Sequence, residues 1–409
     1  MGGWRERTGA ARVAQGAVLP LSRIDADPAL RAAWARLLHG AADPNPFYGP
    51  DFLVPLMAGK DPPCAVVTTT DGEGALRMLA FLPLRPRRAL PGYLPARIGA
   101  LTGPMIMEGT PLLDAEDPDG AASALIDTLV GHEHRALLHL PLCVAGRTRT
   151  ALDAAALRAG LAQGTVREIA RAAIVRAGAG EDLTTRKRKE LRRSAKTLSQ
   201  WGEPVYATLA GEAVRDGLEV FLALEKAGWK GAAGTALACA EETERFARAA
   251  FSPRATAPRV VLDVLRVAGE PVAAAIHILA GDRGGSFKGA YDERYAKASP
   301  GQLLDAWTRE EILAGAHTGV EHVGLVRLDS CALPGHPLES LWTDRLVFAD
   351  LLIGLSPRRG ATELARAASR LGRLESGYAE AKSRLRRLVG RRETVLRPKA
   401  GDTSETPGG

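Results

Sequence analysis

The residues best placed to do chemistry lie in Ser286-Phe-Lys-Gly-Ala-Tyr-Asp-Glu-Arg-Tyr-Ala-Lys-Ala-Ser-Pro-Gly-Gln-Leu-Leu-Asp-Ala-Trp307. The pattern predicts a short strand, a polar loop, and a helix opening at Ser299-Pro300-Gly301. Serine suits an N-cap and proline the first helical position. A strand feeding a helix in this way aims free backbone N–H groups and the positive end of a helix dipole at one point. That point suits a phosphate or a developing oxyanion.

Other chemistries have less support. Cys64, Cys143, Cys239 and Cys331 are too far apart for a metal clip or redox pair, and they read as free thiols in a reducing cytoplasm. His132 and His134 flank Glu133 without a second ligand pair, so that tripeptide reads as a solvated loop before a strand and no metal is expected. The net charge of +7 allows an acidic partner: a CoA-type phosphate ligand, nucleic acid or a membrane surface. Its basic clusters are Arg186–Lys196 and Arg358–Lys399. No apolar run reaches the ~18 residues of a spanning helix. The N-terminus lacks the apolar core of a secretory signal, and Glu6 replaces the Ser or Thr that myristoylation needs. A cytoplasmic location is the expectation.

The elements that must position the loop recur. A chain of 409 residues predicts two or three domains. Helices are expected at Pro28–His39 and Asp51–Met57, a hairpin at Cys64–Thr70 with Leu76–Leu84, a helix at Ala121–Val130 and a strand at Ala136–Leu142. A hairpin at Val260–Val267 with Val272–Ala280, the Ser286–Tyr291 strand, a helix from Pro300 to Ala316 and a strand at His322–Asp329 repeat this order roughly 190 residues later, which suggests duplication. Between the copies lie a basic helix, Leu183–Gln200, and a helix at Glu212–Ala227. The latter's stripe of Val214, Leu218, Phe221, Leu222 and Leu224/Glu225 buries one face. A last helix is expected over Leu338–Leu355, packed by Trp342 and Arg345. Leu364, Leu371, Tyr378 and Leu385, with Ala367, Leu374, Ala381 and Leu388, form a heptad stripe. That stripe would pack on the body or a second subunit, or lie on a membrane surface. The expected parts are an arm (1–20), two domains (21–180 and 181–356), a basic amphipathic helix (357–397) and a disordered tail (398–409).

Trp229-Lys230-Gly231, Phe287-Lys-Gly-Ala-Tyr-Asp292, Ser299-Pro-Gly-Gln-Leu-Leu304 and Asp329 resemble the GNAT acyltransferase superfamily. The nearest branch is the double-GNAT group linked to bacterial cellulose and polysaccharide biosynthesis, and the architecture is that of the Fem-type peptidyltransferases. Asn45-Pro-Phe-Tyr48 resembles the opening of that branch's first domain. The resemblance implies an α/β (α+β) protein of tandem GNAT folds, each a mixed, mostly antiparallel sheet flanked by helices, followed by a C-terminal basic helix. It implies transfer of an acyl group from acetyl-CoA or another acyl-CoA to an amine of a small-molecule or sugar-like acceptor. Positioning supplies much of the rate, backbone N–H groups polarise the thioester, and side chains or water move protons. The CoA diphosphate would rest on the helix opening at Ser299, Gly301 and Gln302. The usual second glycine of such a loop is missing here.

Within that frame each residue carries two readings. Lys288 and Tyr291 face a cleft or the core. Asp292 caps the loop. Tyr295 is a general acid or a packed hydroxyl, and Arg294 and Lys297 are phosphate contacts or solvated charges. Asp329 is a base or acceptor-binding group, or a turn cap. His336, in a rigid turn, could deprotonate an amine near neutral pH. Trp229 and Lys230 line the acceptor pocket, or Trp229 anchors the core. One alternative is a Fem-like donor, aminoacyl-tRNA, favoured by Arg186–Lys196; only there is nucleic acid expected. Another is a non-catalytic assembly or regulatory subunit docking, as a homodimer or at a membrane, through 361–388.

Overall fold

Runs of β-branched and aliphatic residues that can be buried on both faces favour interior strands. The longest runs here form one continuous sheet. The structure, a computed structural model, describes residues 14–133, 136–177, 181–252, 259–317 and 325–377. In chain order the first half contains β1 (Gln15–Pro20), α1 (Leu21–Ala26), α2 (Pro28–Gly40), α3 (Pro50–Leu56), β2 (Pro63–Thr70), β3 (Leu76–Arg87), β4 (Arg97–Ala100), β5 (Leu112–Leu113), α4 (Pro118–Glu133), β6 (Leu137–Val144), α5 (Arg147–Arg158) and β7 (Gln163–Val175). The second half contains α6 (Thr185–Leu198), β8 (Pro204–Leu209), α7 (Val214–Ala227), α8 (Trp229–Ala232), α9 (Glu241–Ala250), β9 (Arg259–Val267), β10 (Glu270–Ala280), β11 (Arg283–Tyr291), α10 (Pro300–Ala314), β12 (Arg327–Asp329) and β13 (Asp344–Gly354). Residues 361–377 form a further helix.

The sheet order is β1-β2-β3-β4-β6-β13-β7-β12-β11-β10-β9-β8, with β5 paired to β3. The order mirrors itself about the β13–β7 pair. On one side β4 runs parallel to β6 with α4 between them in the chain. On the other, β11 runs parallel to β12 with α10 between them. Every other pair is antiparallel. The last strand of each half has changed sides: β7 pairs with β12, and β13 pairs with β6. The mixed, mostly antiparallel tandem sheets flanked by helices are therefore what the chain forms, joined by exchanged strands.

Two expectations change. Asp344–Gly354, inside the expected helix Leu338–Leu355, is strand β13. Its apolar run is buried between β6 and β7, and pairing with residues far away in sequence decides its conformation. Trp342 is buried, with Nε1 donating to the Asp305 carbonyl at 3.1 Å, and Arg345 bonds the carbonyls of Trp342 and Glu339. Gln15–Pro20, assigned to the arm, is β1, paired with β2. The arm's residues 1–13, His134 and the tail 398–409 lie outside the described residues. In the heptad stripe, Leu364, Ala367 and Leu371 are buried, with neighbouring Ala368, against Leu94, Leu137 and Leu352, so this part packs on the body, while Leu374 is exposed. Tyr378 onward is outside the described residues. Among the described residues, no helix is long and apolar enough to cross a membrane.

Candidate functional site

β11 and β12 pair over only three residues, Arg283–Gly285 opposite Arg327–Asp329. Beyond Gly285 this edge of β11 has no strand partner among the described residues, although β10 accompanies its other edge to Tyr291. A wedge opens there. Its deep end is packed: a Cβ on Gly285 would lie 2.8 Å from Cys331 Sγ and 3.4 Å from Phe47. The space left between Gly284, Gly285, Phe47, Glu108, Asp329 and Cys331 is about 20 Å³, room for one water.

At the other end of β11, Asp292 caps the following turn by accepting from Arg294 N at 2.9 Å. Ser299 stands at the N-cap of α10, but in the left-handed region (φ 48°) and without a side-chain capping bond. The helix therefore begins on the fixed φ of Pro300 and not on the serine hydroxyl. Gly301 lies beside Tyr291, whose Cδ1 would be 3.6 Å from an added Cβ. Gln302 Oε1 accepts from Lys187 Nζ of α6 at 2.6 Å, which ties its side chain and leaves its backbone amide as the group facing outward in the first turn. Arg294 is exposed and held by Asp292 at 2.6 and 2.8 Å, and Lys297 is exposed. Tyr295 packs edge-on against Trp201 at 5.3 Å.

The expected acceptor residues gather elsewhere along β11. Lys288 Nζ donates to Glu225 Oε1 at 3.1 Å, and Lys230 Nζ lies 3.5 Å from the same oxygen. Lys230 also donates to the Gly289 carbonyl at 2.7 Å. Glu225 is buried, and its other oxygen accepts from Leu237 N at 2.7 Å. Burial lowers the Lys230 pKa, Glu225 opposes this, and Lys288 adds to it. Trp229, 57% exposed, is no core anchor; its amide donates to Glu293 at 2.6 Å. His336 is exposed and accepts from Leu338 N at 3.3 Å. Partial desolvation of its ring lowers its pKa, with Glu339 opposing and Lys230 reinforcing. His336 thus feels the charge of Lys230, while Asp329 lies apart, paired with Arg171.

Asp329 lies deep, 5% exposed, with Arg171 of β7 donating to it at 3.0 Å and the Cys331 thiol 3.6 Å away. Burial raises the carboxyl pKa, and Arg171 holds it down. Glu108, which sequence reasoning missed, lines the same small cavity. Its carboxyl is pushed up to about 8 by burial; a Thr110 hydrogen bond opposes this and Asp329 adds to it. The native state therefore holds a proton on Glu108 that the unfolded chain releases near 4.5, and stability falls as pH climbs from about 4.5 to about 8. Glu108→Gln should flatten this slope in urea midpoints measured from pH 5 to pH 9; an unchanged slope would contradict the assignment. Asn45 and Tyr48 hold this region as structure: Asn45 Nδ2 donates to the Glu108 and Thr110 carbonyls, and Tyr48 Oη to the Leu101 carbonyl at 3.2 Å.

Residues 185–329, the segment holding the wedge and α10, match the family model described as "Acetyltransferase (GNAT) domain". No curated protein matches the chain. Among solved structures, the chain is similar to FemX (9% identity, 79% of this chain and 95% of that one, TM-score 0.49). It is also similar to L-PGS from Bacillus licheniformis (12%, 86% and 97%, TM-score 0.46). A third is the tandem GNAT protein from the clavulanic acid biosynthesis pathway (11%, 83% and 98%, TM-score 0.34).

Proposed function

We propose that the second half transfers an acyl group from an acyl-CoA thioester to an amine of a small-molecule or sugar-like acceptor. One observation carries the reading: β11 and β12 part after three residues, and the freed edge of β11 runs on to Tyr291 beside the opening turn of α10, inside the matched segment. The diphosphate would rest on the amides of Gly301 and Gln302, with Ser299 and Lys297 beside them and Arg294 at the rim. The pantetheine arm would lie along the unpaired edge of β11, whose N–H groups polarise the thioester carbonyl. The amine attacks that carbonyl, the tetrahedral intermediate expels the thiolate, and the amine loses a proton as the thiolate gains one.

His336 suits the base, since its lowered pKa keeps the imidazole neutral at pH 7. Tyr291, next to Gly301, suits the acid; Tyr295 is the outer alternative. Trp229, Lys230 and Lys288 would wall the acceptor site. Asp329, paired with Arg171, would position the deep end of the wedge. A setting in cell-envelope or polysaccharide synthesis rests on the sequence resemblance alone.

Calorimetric titration with acetyl-CoA tests the donor site. Gly301→Ala should bind as wild type, because its Cβ fits 3.6 Å from Tyr291. Gly301→Trp should bind about tenfold more weakly or worse, a loss on the order of 1.4 kcal/mol. Equal binding in Gly301→Trp would remove the phosphate cradle.

A second reading keeps the fold and takes aminoacyl-tRNA as donor. It is favoured by the exposed ridge of Arg186, Arg188, Lys189, Arg192, Arg193 and Lys196 on α6. Filter binding of charged tRNA that falls steeply with salt would support it; the absence of binding at moderate salt would remove it.

A further inference from the structure

The mirror partner of the wedge lies in the first half. There β4 and β6 pair at Arg97–Gly99 opposite Leu137–His139 and then separate. His139 takes the place that Asp329 takes in the second half. The pocket beyond this point has a volume of about 300 Å³, some fifteen times the space left beside Asp329. Its walls carry Arg85 and Arg87 of β3, Arg97 of β4, His139 of β6, Arg167 of β7 and Glu375 of the 361–377 helix.

Charge in this pocket is unbalanced. Arg167 is taken by Asp350 at 2.6 Å and by Glu375 at 3.5 Å. No ion pair to Arg85, Arg87 or Arg97 is formed among the described residues, and Arg85 reaches only the Thr102 carbonyl. Three buried polar atoms of this pocket lack any hydrogen-bond partner: Arg97 Nη1, His139 Nε2 and Glu375 Oε2. A buried guanidinium N–H without a partner, such as that of Arg97, is rare and points to a missing acceptor. The guanidinium groups also crowd one another. Burial and then Arg87 lower the Arg97 pKa, with Glu375 opposing, and burial and then Arg85 lower that of Arg87. The His139 imidazole is lowered to about 4 by burial; Asp350 opposes this, and Arg97, Arg167 and Arg87 add to it.

We propose that the pocket between the parting ends of β4 and β6 is an anion site that takes a phosphate ester or diphosphate on Arg87, Arg97 and His139. An anion supplies the acceptor oxygen that Arg97 lacks and one that the Nε2–H tautomer of His139 would meet, and forked guanidinium groups match phosphate geometry. A cation is the competing occupant, because His139, Asp350 and Glu375 bring ligand atoms within 4.8 Å of one another. A cation would have to sit among four guanidinium groups, so the anion is preferred. This site is separate from the donor cradle at Gly301 and stands or falls independently of it.

The test titrates inorganic diphosphate by calorimetry into the full chain as wild type, Arg87→Met, Arg97→Met and Gly301→Trp. Wild type and Gly301→Trp should bind alike, and each arginine variant should bind about tenfold more weakly, as expected for loss of a charge-assisted contact. Arg87 is exposed, so its variant should fold even if Arg97→Met does not. Absence of binding to wild type at millimolar diphosphate would overturn the proposal. So would binding that survives both arginine changes, or binding lost only in Gly301→Trp. Zinc binding that is abolished by His139→Ala, with no diphosphate binding, would assign the pocket to a cation and also overturn it.

Discussion

Arg171→Met should lower the unfolding free energy at pH 7 by about 3–5 kcal/mol, the usual consequence of leaving one member of a buried ion pair alone. Arg171 is 2% exposed, donates to Asp329, and lies over the Phe348 ring at 4.4 Å. Methionine keeps much of the packing, so most of the loss is electrostatic. Arg171 stands on β7, the strand that the first half contributes to the second, so the pair also ties the halves together. Two signatures separate this from a packing defect. The loss should shrink at acid pH, where Asp329, already raised by burial, takes up a proton. Arg171→Met combined with Asp329→Leu should recover much of the stability, because no buried charge is left. Urea unfolding measures all three quantities. A loss below about 1 kcal/mol, the range of exposed pairs, would mean that the pair is hydrated.

Glu225→Gln should cost about 3 kcal/mol at pH 7 for a related reason. Glu225 is the carboxylate shared by Lys230 and Lys288, and it also accepts from Leu237 N. The amide keeps the shape and can still accept a hydrogen bond, but it leaves two ammonium groups close together with no counterion. The folded-state pKa of Lys230, already lowered by burial, should then fall further, so the variant's deficit should diminish as pH rises and Lys230 loses its charge. A deficit constant between pH 7 and pH 10 would point to lost hydrogen bonding alone. The same change should weaken any acceptor that relies on Lys230 and Lys288, while acetyl-CoA binding at Gly301 stays unchanged.

The local parts of this architecture were legible in the chain. The strand–loop–helix at Ser286–Trp307 follows from alternation, a turn, and a proline at the first helical position, and the structure has β11 and α10 there. Glu225 was half legible. Its position fits the buried stripe of α7, but a carboxylate at such a position is itself the signal of a buried charge partner. The strand exchange was not legible. Nothing in Asp344–Gly354 says that it pairs with Gln163–Val175 and Leu137–Val144, and an apolar run of that length is equally compatible with a buried helix. Glu108, Arg171 and the arginines of the first wedge were missed for a similar reason: the sheet brings them together from separate strands, and no spacing in the sequence announces them. The role of Ser299 differed in kind, since the residue is at the cap position but its backbone conformation turns the hydroxyl away from capping.

The central claim is that the parted strands β11 and β12 and the tip of α10 grip a thioester donor. A crystal of this chain soaked with acetyl-CoA tests it most directly. The account predicts diphosphate density on the amides of Gly301 and Gln302, with the pantetheine arm along the Ser286–Tyr291 edge. Acetyl-CoA bound with its diphosphate elsewhere, or Cys331 and Phe47 remaining packed against Gly285 with no arm along β11, would contradict it.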